Sequence, residues 1–173
     1  MSVSVNPTIL IKDACILFDL LDLELLADFY RLHVTVITTP EVISEIEDPE
    51  QLEQIQPYID SGQLQVDRNG VLANMILITD GNPGLSLTDA SVLEAATRLQ
   101  AMILSSDGSL RRVSQQKGIT VRGMLWVLEE LYRKEILTKE LVLEKLVRYP
   151  QVNVRAPQIE TEHLIIKIKQ VTS

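Results

Sequence analysis

Several residue types that build common functional sites are scarce in this chain of 173 residues. Cys15 is the only cysteine, and His33 and His163 are the only histidines. An intrachain disulfide framework, a zinc site built on several cysteines and a histidine-rich metal site are therefore excluded. The single cysteine also favours a reducing, cytoplasmic location.

Long apolar runs are missing too. The most hydrophobic region, ACILFDLLDLELLADFY at 14–30, is interrupted by four acidic residues, so it cannot cross a bilayer as a continuous apolar helix. No basic segment precedes an apolar run at the N-terminus, which argues against a secretory signal. We therefore expect no membrane partner.

Positive charge is also in short supply. Lys and Arg number 16 against 24 Asp and Glu, which gives a formal net charge of −8 at pH 7. Indiscriminate binding to nucleic acid rests on neutralising phosphates with Lys and Arg, so this composition argues against it. A local basic patch remains compatible with the sequence.

Short β-branched runs alternate with longer helical patterns, which predicts βαβ units and a parallel sheet. Strands are predicted at 8–11, 33–38, 64–67, 101–105 and 119–121. Helices are predicted at 14–32, from Pro40, at 49–59, after the GNPG breaker at 81–84, and at 109–117, 123–135 and 138–149. The tail at 158–171 fits helix and strand patterns about equally, and we favour a helix. The chain length predicts a single domain over residues 1–173.

Two carboxylates follow predicted strands. Asp13 comes just after the strand at 8–11, and Asp107 just after the strand at 101–105. In open parallel sheets, ligands bind beyond the carboxyl ends of the strands, where the strand order reverses. The two acids are therefore expected to be neighbours. Taken singly, each is also explained as a loop aspartate that bonds its own backbone.

Two further carboxylates belong to predicted helices. Asp89 precedes Val92 and Leu93 by three and four residues, which places it on the apolar face of its helix. Ser86 and Asp89 also fit a helix-capping pattern, so a cap and a functional ligand are equally supported. Glu45 lies at the edge of an apolar stripe, and by itself it is explained as a solvated side chain.

Convergence of these four acids would require a cation to offset their mutual repulsion. A hard divalent ion with oxygen ligands, Mg²⁺ or Mn²⁺, suits such a site, because no set of Cys or His is available to hold a softer metal. An ion of this kind serves phosphoryl chemistry.

Four short motifs, taken in order, resemble the PIN-domain ribonucleases, which include the VapC-like toxins of toxin–antitoxin pairs. They are ILIKDACIL, TPEVISEI, LSLTDASVLEAA and ILSSDGSLRRVSQQKGITV. The resemblance covers about residues 8 to 123. The helices predicted from about 123 to 173 are similar to the C-terminal extension of one PIN subgroup.

The resemblance implies a three-layer α/β/α sandwich with a central, mostly parallel sheet. It implies a metal-dependent endoribonuclease that hydrolyses RNA phosphodiester bonds, with Mg²⁺ or Mn²⁺ as cofactor. Ser105 takes the position of a supporting residue near the metal. A small antitoxin protein is a partner that the resemblance suggests beside the RNA substrate. The implied catalytic and metal-binding quartet is Asp13, Glu45, Asp89 and Asp107.

Four basic residues follow the fourth predicted strand: Arg111, Arg112, Lys117 and Arg122. Beside a metal site they would hold RNA phosphates. As a solvated helix face with a lysine near its C-terminal end, they would need no ligand. Both interpretations stay open.

Residues 15–26 include two features that concern binding partners. Cys15 stands where many family members have Asn or Ser, and we expect it to be a small buried hydrophobe. The Leu-rich segment from Leu20 to Leu26 is expected to pack in the core, with a homodimer or antitoxin face as the alternative.

Two other functions compete with the nuclease. A catalytically silent PIN-like module that binds a protein or RNA partner is favoured by the acidity of the chain and by Cys15, and metal affinity would separate it from the nuclease. A receiver-like phosphoacceptor domain would need paired acids after the first strand. Lys12 precedes Asp13 and no acidic pair follows, so this function ranks lower.

Overall fold

In the described part of the chain, five short strands form one all-parallel sheet in the order β3-β2-β1-β4-β5. The computed structural model describes residues 6–106 and 108–171. Its strands are β1 Thr8–Ile11, β2 Thr35–Thr38, β3 Leu64–Val66, β4 Met102–Leu104 and β5 Val121–Arg122. Each predicted strand is present, and β5 begins two residues later than its predicted start at 119.

The described residues also form ten helices. Four of them follow a residue whose side chain caps the first turn, namely Thr39, Asp48, Ser86 and Thr138. The sequence predicts the caps at Thr39 and Ser86. The helices are α1 Cys15–Asp22, α2 Leu26–Tyr30, α3 Pro40–Ser44, α4 Pro49–Asp60, α5 Leu72–Gly81, α6 Leu87–Leu99, α7 Arg111–Gln116, α8 Met124–Arg133, α9 Lys139–Val152 and α10 Gln158–Gln170.

Both faces of the central strands are buried. Leu10, Ile37 and Ile103 are neighbours across the sheet and pack with apolar residues of α3, α6 and α7. Ile9 and Ile11 alternate with Leu10 along β1, so they point to the opposite face, and they too are fully buried. Buried parallel strands of this kind need helices on both faces. The expected α/β/α sandwich with a central parallel sheet is confirmed.

The chain divides into two compact units. The first consists of the described residues of 1–16 and 33–122 and contains the whole sheet. The second consists of the described residues of 17–32 and 123–173 and is helical. The helical extension expected from about residue 123 falls within the second unit, which also includes 17–32. The single-domain organisation stays a prediction.

Three local differences from the predicted elements have identifiable causes. The helix predicted at 14–32 is two helices, because Glu24 has a left-handed backbone with φ of 58° that ends the run after α1. α5 was not predicted, because its apolar residues lie all round the helix and show no readable period. α9 continues to Val152, three residues beyond its predicted end at 149.

The Leu-rich segment packs inside the protein. Leu20, Leu23 and Leu25 are fully buried, which supports core packing and leaves little apolar surface for a partner there. Large exposed apolar side chains occur instead on α5, where Leu72 is 58% and Leu77 70% exposed. Among the described residues, no helix has the length and apolar character needed to cross a membrane.

Candidate functional site

The carboxyl ends of β1 and β4 lie side by side where the strand order reverses. The chain runs outward from β1 through β2 and β3, then returns to place β4 on the other side of β1. The N–H of Lys12 donates to the carbonyl of Leu104 over 3.0 Å, which prolongs the pairing beyond β1. Asp13 therefore faces the residues that follow β4. This is the crevice in which parallel sheets bind ligands.

Asp13 is tied to the end of β4 by three hydrogen bonds. Its Oδ2 accepts from Ser105 Oγ over 3.2 Å and from the Ser106 N–H over 3.1 Å, and its Oδ1 accepts from Ser106 Oγ over 2.9 Å. Ser105 is buried, so its hydroxyl has little access to water. Hydrogen bonds to an ionised carboxylate are stronger than neutral ones, so these three hold Asp13 in one orientation.

Asp89 uses its two carboxylate oxygens for different tasks. Oδ2 accepts from the Ser86 N–H over 2.9 Å, and the Asp89 N–H donates to Ser86 Oγ over 3.0 Å, which completes a capping box at the start of α6. Oδ1 lies 3.3 Å from Lys12 Nζ. The capping role that the sequence predicts is therefore confirmed, and the second carboxylate oxygen is directed to Lys12 rather than to the cap. Lys12 connects Asp89 to the end of β1.

Glu45 follows α3 and is exposed. The start of α3 is fixed by Thr39, whose Oγ1 accepts from the Val42 N–H over 3.3 Å and lies 2.9 Å from Ser91 Oγ on α6. These buried hydroxyls join the helix that precedes Glu45 to the helix that carries Asp89.

Three members of the predicted acidic quartet lie in the described part of the chain. Asp13 follows β1, and Asp89 contacts Lys12, the residue directly before Asp13, whereas Glu45 is exposed just after its helix. Within residues 6–106 and 108–171, no three His, Cys, Asp or Glu side chains are grouped so as to hold a metal ion. Asp107 lies outside the described residues, so the complete quartet stays a prediction.

The four predicted phosphate-binding residues are exposed but lie in two places. Arg111 and Arg112 open α7, which begins just after the loop that follows β4. Arg122 pairs with Leu104 in the register of β5 and β4, next to the same strand end. Lys117 lies beyond the other end of α7 and lines a cavity with residues at the amino ends of β4 and β5. It therefore lies at the edge of the sheet opposite Asp13.

A neighbouring carboxylate cluster is satisfied within the protein. Arg98 donates to both oxygens of Glu94 over 3.0 Å and also to Asp67, which follows β3. Burial by itself opposes the charged form of Asp67. The hydrogen bonds and charge of Arg98, with hydrogen bonds from Asn69, outweigh it, so the pKa of Asp67 lies below its ordinary value. The same contacts raise the pKa of Arg98. This cluster is a structural network of ion pairs that joins α6 to the end of β3, the edge strand of the sheet.

Sequence reasoning missed two residues beside the candidate ligands, and it mispredicted the burial of Cys15. The sequence predicts no role for Lys12 in the site, although a lysine at the end of a buried strand and directly before a candidate ligand is an unusual signal. Ser105 is the only serine predicted to support the site, yet Ser106 makes two of the three hydrogen bonds from this segment to Asp13. The expectation that Cys15 is buried is wrong, because Cys15 is exposed at the start of α1.

The donor set of the crevice suits a hard cation. A carboxylate has about four lone-pair positions. Asp13 uses three of them in its bonds to Ser105 and Ser106, and Asp89 uses two toward Ser86 and Lys12. Both carboxylates therefore keep acceptor capacity, and Asp89 already binds one cationic group. Oxygen donors of this kind match Mg²⁺ and Mn²⁺.

Comparison with known proteins bears on the family. A family model described as a PIN domain, DUF3368, matches residues 9–170. The matched region includes all the strand ends that surround Asp13, together with the C-terminal helices. No curated protein matches the chain.

Proposed function

Because the chain belongs to the PIN-domain family, we propose that it is a divalent-metal-dependent endoribonuclease that hydrolyses RNA phosphodiester bonds. PIN domains are generally nucleases. The observation that carries the proposal is the pair of ordered carboxylates, Asp13 and Asp89, at the point where the strand order of the parallel sheet reverses.

In this proposal, the acidic quartet of Asp13, Glu45, Asp89 and Asp107 holds Mg²⁺ or Mn²⁺. A bound ion would supply Lewis acidity toward the phosphodiester and activation of a water molecule. Ser105 and Ser106 are positioning residues, since their hydrogen bonds hold the Asp13 carboxylate toward the crevice. Outer-shell partners of this kind commonly change metal affinity or activity by about 10- to 100-fold.

The substrate is held by phosphate contacts from Arg111, Arg112 and Arg122, which are exposed around the end of β4. Lys117 is left out of this surface because it lies at the opposite edge of the sheet. With a net charge of −8, most of the protein surface repels RNA, so binding is confined to this local group. A single-stranded substrate suits a crevice at strand ends, because its phosphates are accessible from one side.

The biological setting belongs to the same proposal. We place the activity in the cytoplasm, in keeping with the single cysteine, and infer that the protein acts as the toxin of a toxin–antitoxin pair. A small antitoxin protein would then be its natural inhibitor. Co-purification of an inhibitory protein from the native host, followed by its removal, would test this setting separately from the chemistry.

The test of the chemistry is cleavage of a panel of single-stranded RNAs, with single-stranded DNA alongside, in Mg²⁺, Mn²⁺ or EDTA. Asp13→Asn is compared with Asp48→Asn. The control also exchanges Asp for Asn, at an exposed N-cap position that Asn fills equally well. We expect the wild type to cleave RNA and EDTA to abolish the cleavage. Asp13→Asn should lower the rate by at least about 100-fold, because a bound metal lowers the activation barrier by several kcal/mol.

The fold of each variant is checked by circular dichroism and thermal unfolding. Full activity in a folded Asp13→Asn variant would refute the assignment of this carboxylate. A wild type that neither cleaves RNA nor binds Mn²⁺ would favour the second candidate, a silent PIN-like module. The observation in favour of that candidate is that Lys12 already neutralises Asp89.

A further inference from the structure

Lys12 is held inside the carboxylate crevice. Its Nζ lies 3.3 Å from Asp89 Oδ1 and 3.5 Å from Ser109 Oγ. The side chains of Lys12 and Asp89 are only 12% and 13% exposed. Lysine is among the residues least often buried, and it usually extends its ammonium into water. Here the ammonium points to a ligand candidate instead.

The backbone of Lys12 makes this placement firm. Its N–H donates to the carbonyl of Leu104 over 3.0 Å, so the residue is anchored to the end of β4 as well as to β1. Asp89 is anchored independently by its capping box with Ser86. Two fixed elements therefore present the ammonium and the carboxylate to each other.

A fixed ammonium affects any other cation in the crevice. The attraction between Lys12 and Asp89 acts through a partly desolvated environment, where charges interact more strongly than in bulk water. A divalent ion that binds Asp89 must either share the negative charge of this carboxylate with the Lys12 ammonium or displace the ammonium from it. In both cases the two positive charges repel each other. A neutral side chain at position 12 would remove both costs.

We propose that Lys12 sets the divalent-cation affinity of the site by competing with the metal for the Asp89 carboxylate. This inference rests on the proposed function, because it concerns the metal that the acidic quartet would hold. Lys12 is in this view a positioning residue that keeps Asp89 ordered and neutralised while the site holds no metal. It makes loading of the site depend on the free concentration of Mg²⁺ or Mn²⁺.

The test measures Mn²⁺ binding to the whole purified protein by titration calorimetry, with free Mn²⁺ followed by electron paramagnetic resonance. Lys12→Met keeps the length and apolar stem of the side chain but removes its charge, whereas Lys12→Arg keeps the charge. We expect Lys12→Met to bind Mn²⁺ at least about tenfold more tightly than the wild type, as one removed neighbouring charge typically changes ionic equilibria by a factor of ten or more. Lys12→Arg should resemble the wild type.

Two further variants make the result specific. Lys134→Met removes the same charge just after α8, where it is exposed, and should leave Mn²⁺ affinity unchanged. Adding Asp89→Asn to Lys12→Met should abolish the gain, because the competition acts through that carboxylate. If Lys12→Met does not fold, Lys12→Gln is measured instead, because the neutral glutamine amide suits the partly polar surroundings of position 12.

Each outcome decides the inference. Equal Mn²⁺ affinity in the wild type and Lys12→Met would overturn it while leaving the proposed metal-dependent nuclease intact. Weaker binding in Lys12→Met would also overturn it, because the ammonium would then be supporting the metal site. If neither protein binds Mn²⁺, the proposed function fails together with the inference. Binding only in Lys12→Met would support the inference and show that the native lysine keeps the site closed.

Discussion

We predict that the ion pairs of Arg98 stabilise the packing of α6 against the end of β3, the edge strand of the sheet. It donates to both oxygens of Glu94 within α6 and to Asp67 at the end of β3. The carboxylates it pairs with are almost completely buried, with side-chain exposures of 5% and 7%, while Arg98 itself is 29% exposed. Arg98→Met would keep much of the apolar stem and leave two carboxylates without their cation.

The cost follows from this burial. Removing one partner of a fully buried ion pair costs about 3–5 kcal/mol, because the remaining charge is left uncompensated. Partial exposure of Arg98 admits solvent screening, so we reduce the expected loss to about 2–4 kcal/mol. A protein of this size loses about 2–4 °C of Tm per kcal/mol, so Tm should fall by roughly 5–15 °C.

The loss should also depend on pH. The pKa of Asp67 is lowered in the folded protein, so the stabilisation from its ion pair is fully present above the unfolded pKa of about 3.9. It is lost as pH falls through the lower, folded value. The difference in stability between wild type and Arg98→Met should therefore be full at pH 7 and shrink below about pH 4.

The assay is urea unfolding of both proteins at a series of pH values from 7 down to 3.5. Arg133→Met is the matched control, since Arg133 also makes a two-pronged contact, with Glu130, but on the exposed surface of α8. That variant should change stability little. A loss in Arg98→Met no larger than in the control, or one that stays constant below pH 4, would refute this account of the ion pair.

Two further predictions concern the residues that position the carboxylates. Ser105→Ala removes a buried hydroxyl from Asp13 and should lower the initial rate of RNA cleavage about tenfold, with a loss of about 1 kcal/mol in urea unfolding; unchanged activity would remove Ser105 from the site. Thr39→Val removes both the cap of α3 and the hydrogen bond to Ser91, so thermal unfolding should show a loss of about 1–2 kcal/mol. A Tm equal to that of the wild type would contradict that role.

Local signals in the sequence were sufficient to predict most of the helices and strands. Thr39 followed by proline, and Ser86 three residues before Asp89, identify the starts of α3 and α6 because capping bonds form within one turn of chain. Gly118, with φ of 70°, ends α7 as expected for a residue without a Cβ in the left-handed region. The parallel sheet follows from the alternation of apolar strands with helices.

Other local features could not be predicted from the sequence, because tertiary packing determines them. α5 has apolar residues on all sides, so periodicity does not distinguish a helix from a strand. Glu24 breaks the predicted long helix in a left-handed conformation that usually favours glycine, and its carboxylate lies 3.2 Å from Arg148 on α9. That partner is 124 residues away in the chain. No local pattern contains such a contact.

The sequence by itself determined the types of group available for the site: acidic residues just after strands and at a helix start, no set of Cys or His, and a short basic run after β4. It could do so because residue type and position within one element are local properties. Only the tertiary structure decided which groups meet. Pairing of β4 with β1 brings Ser105 and Ser106 to Asp13, and docking of α6 beside the sheet brings Asp89 to Lys12. These contacts depend on strand order and helix packing, which arise from burial of the whole core rather than from any one segment.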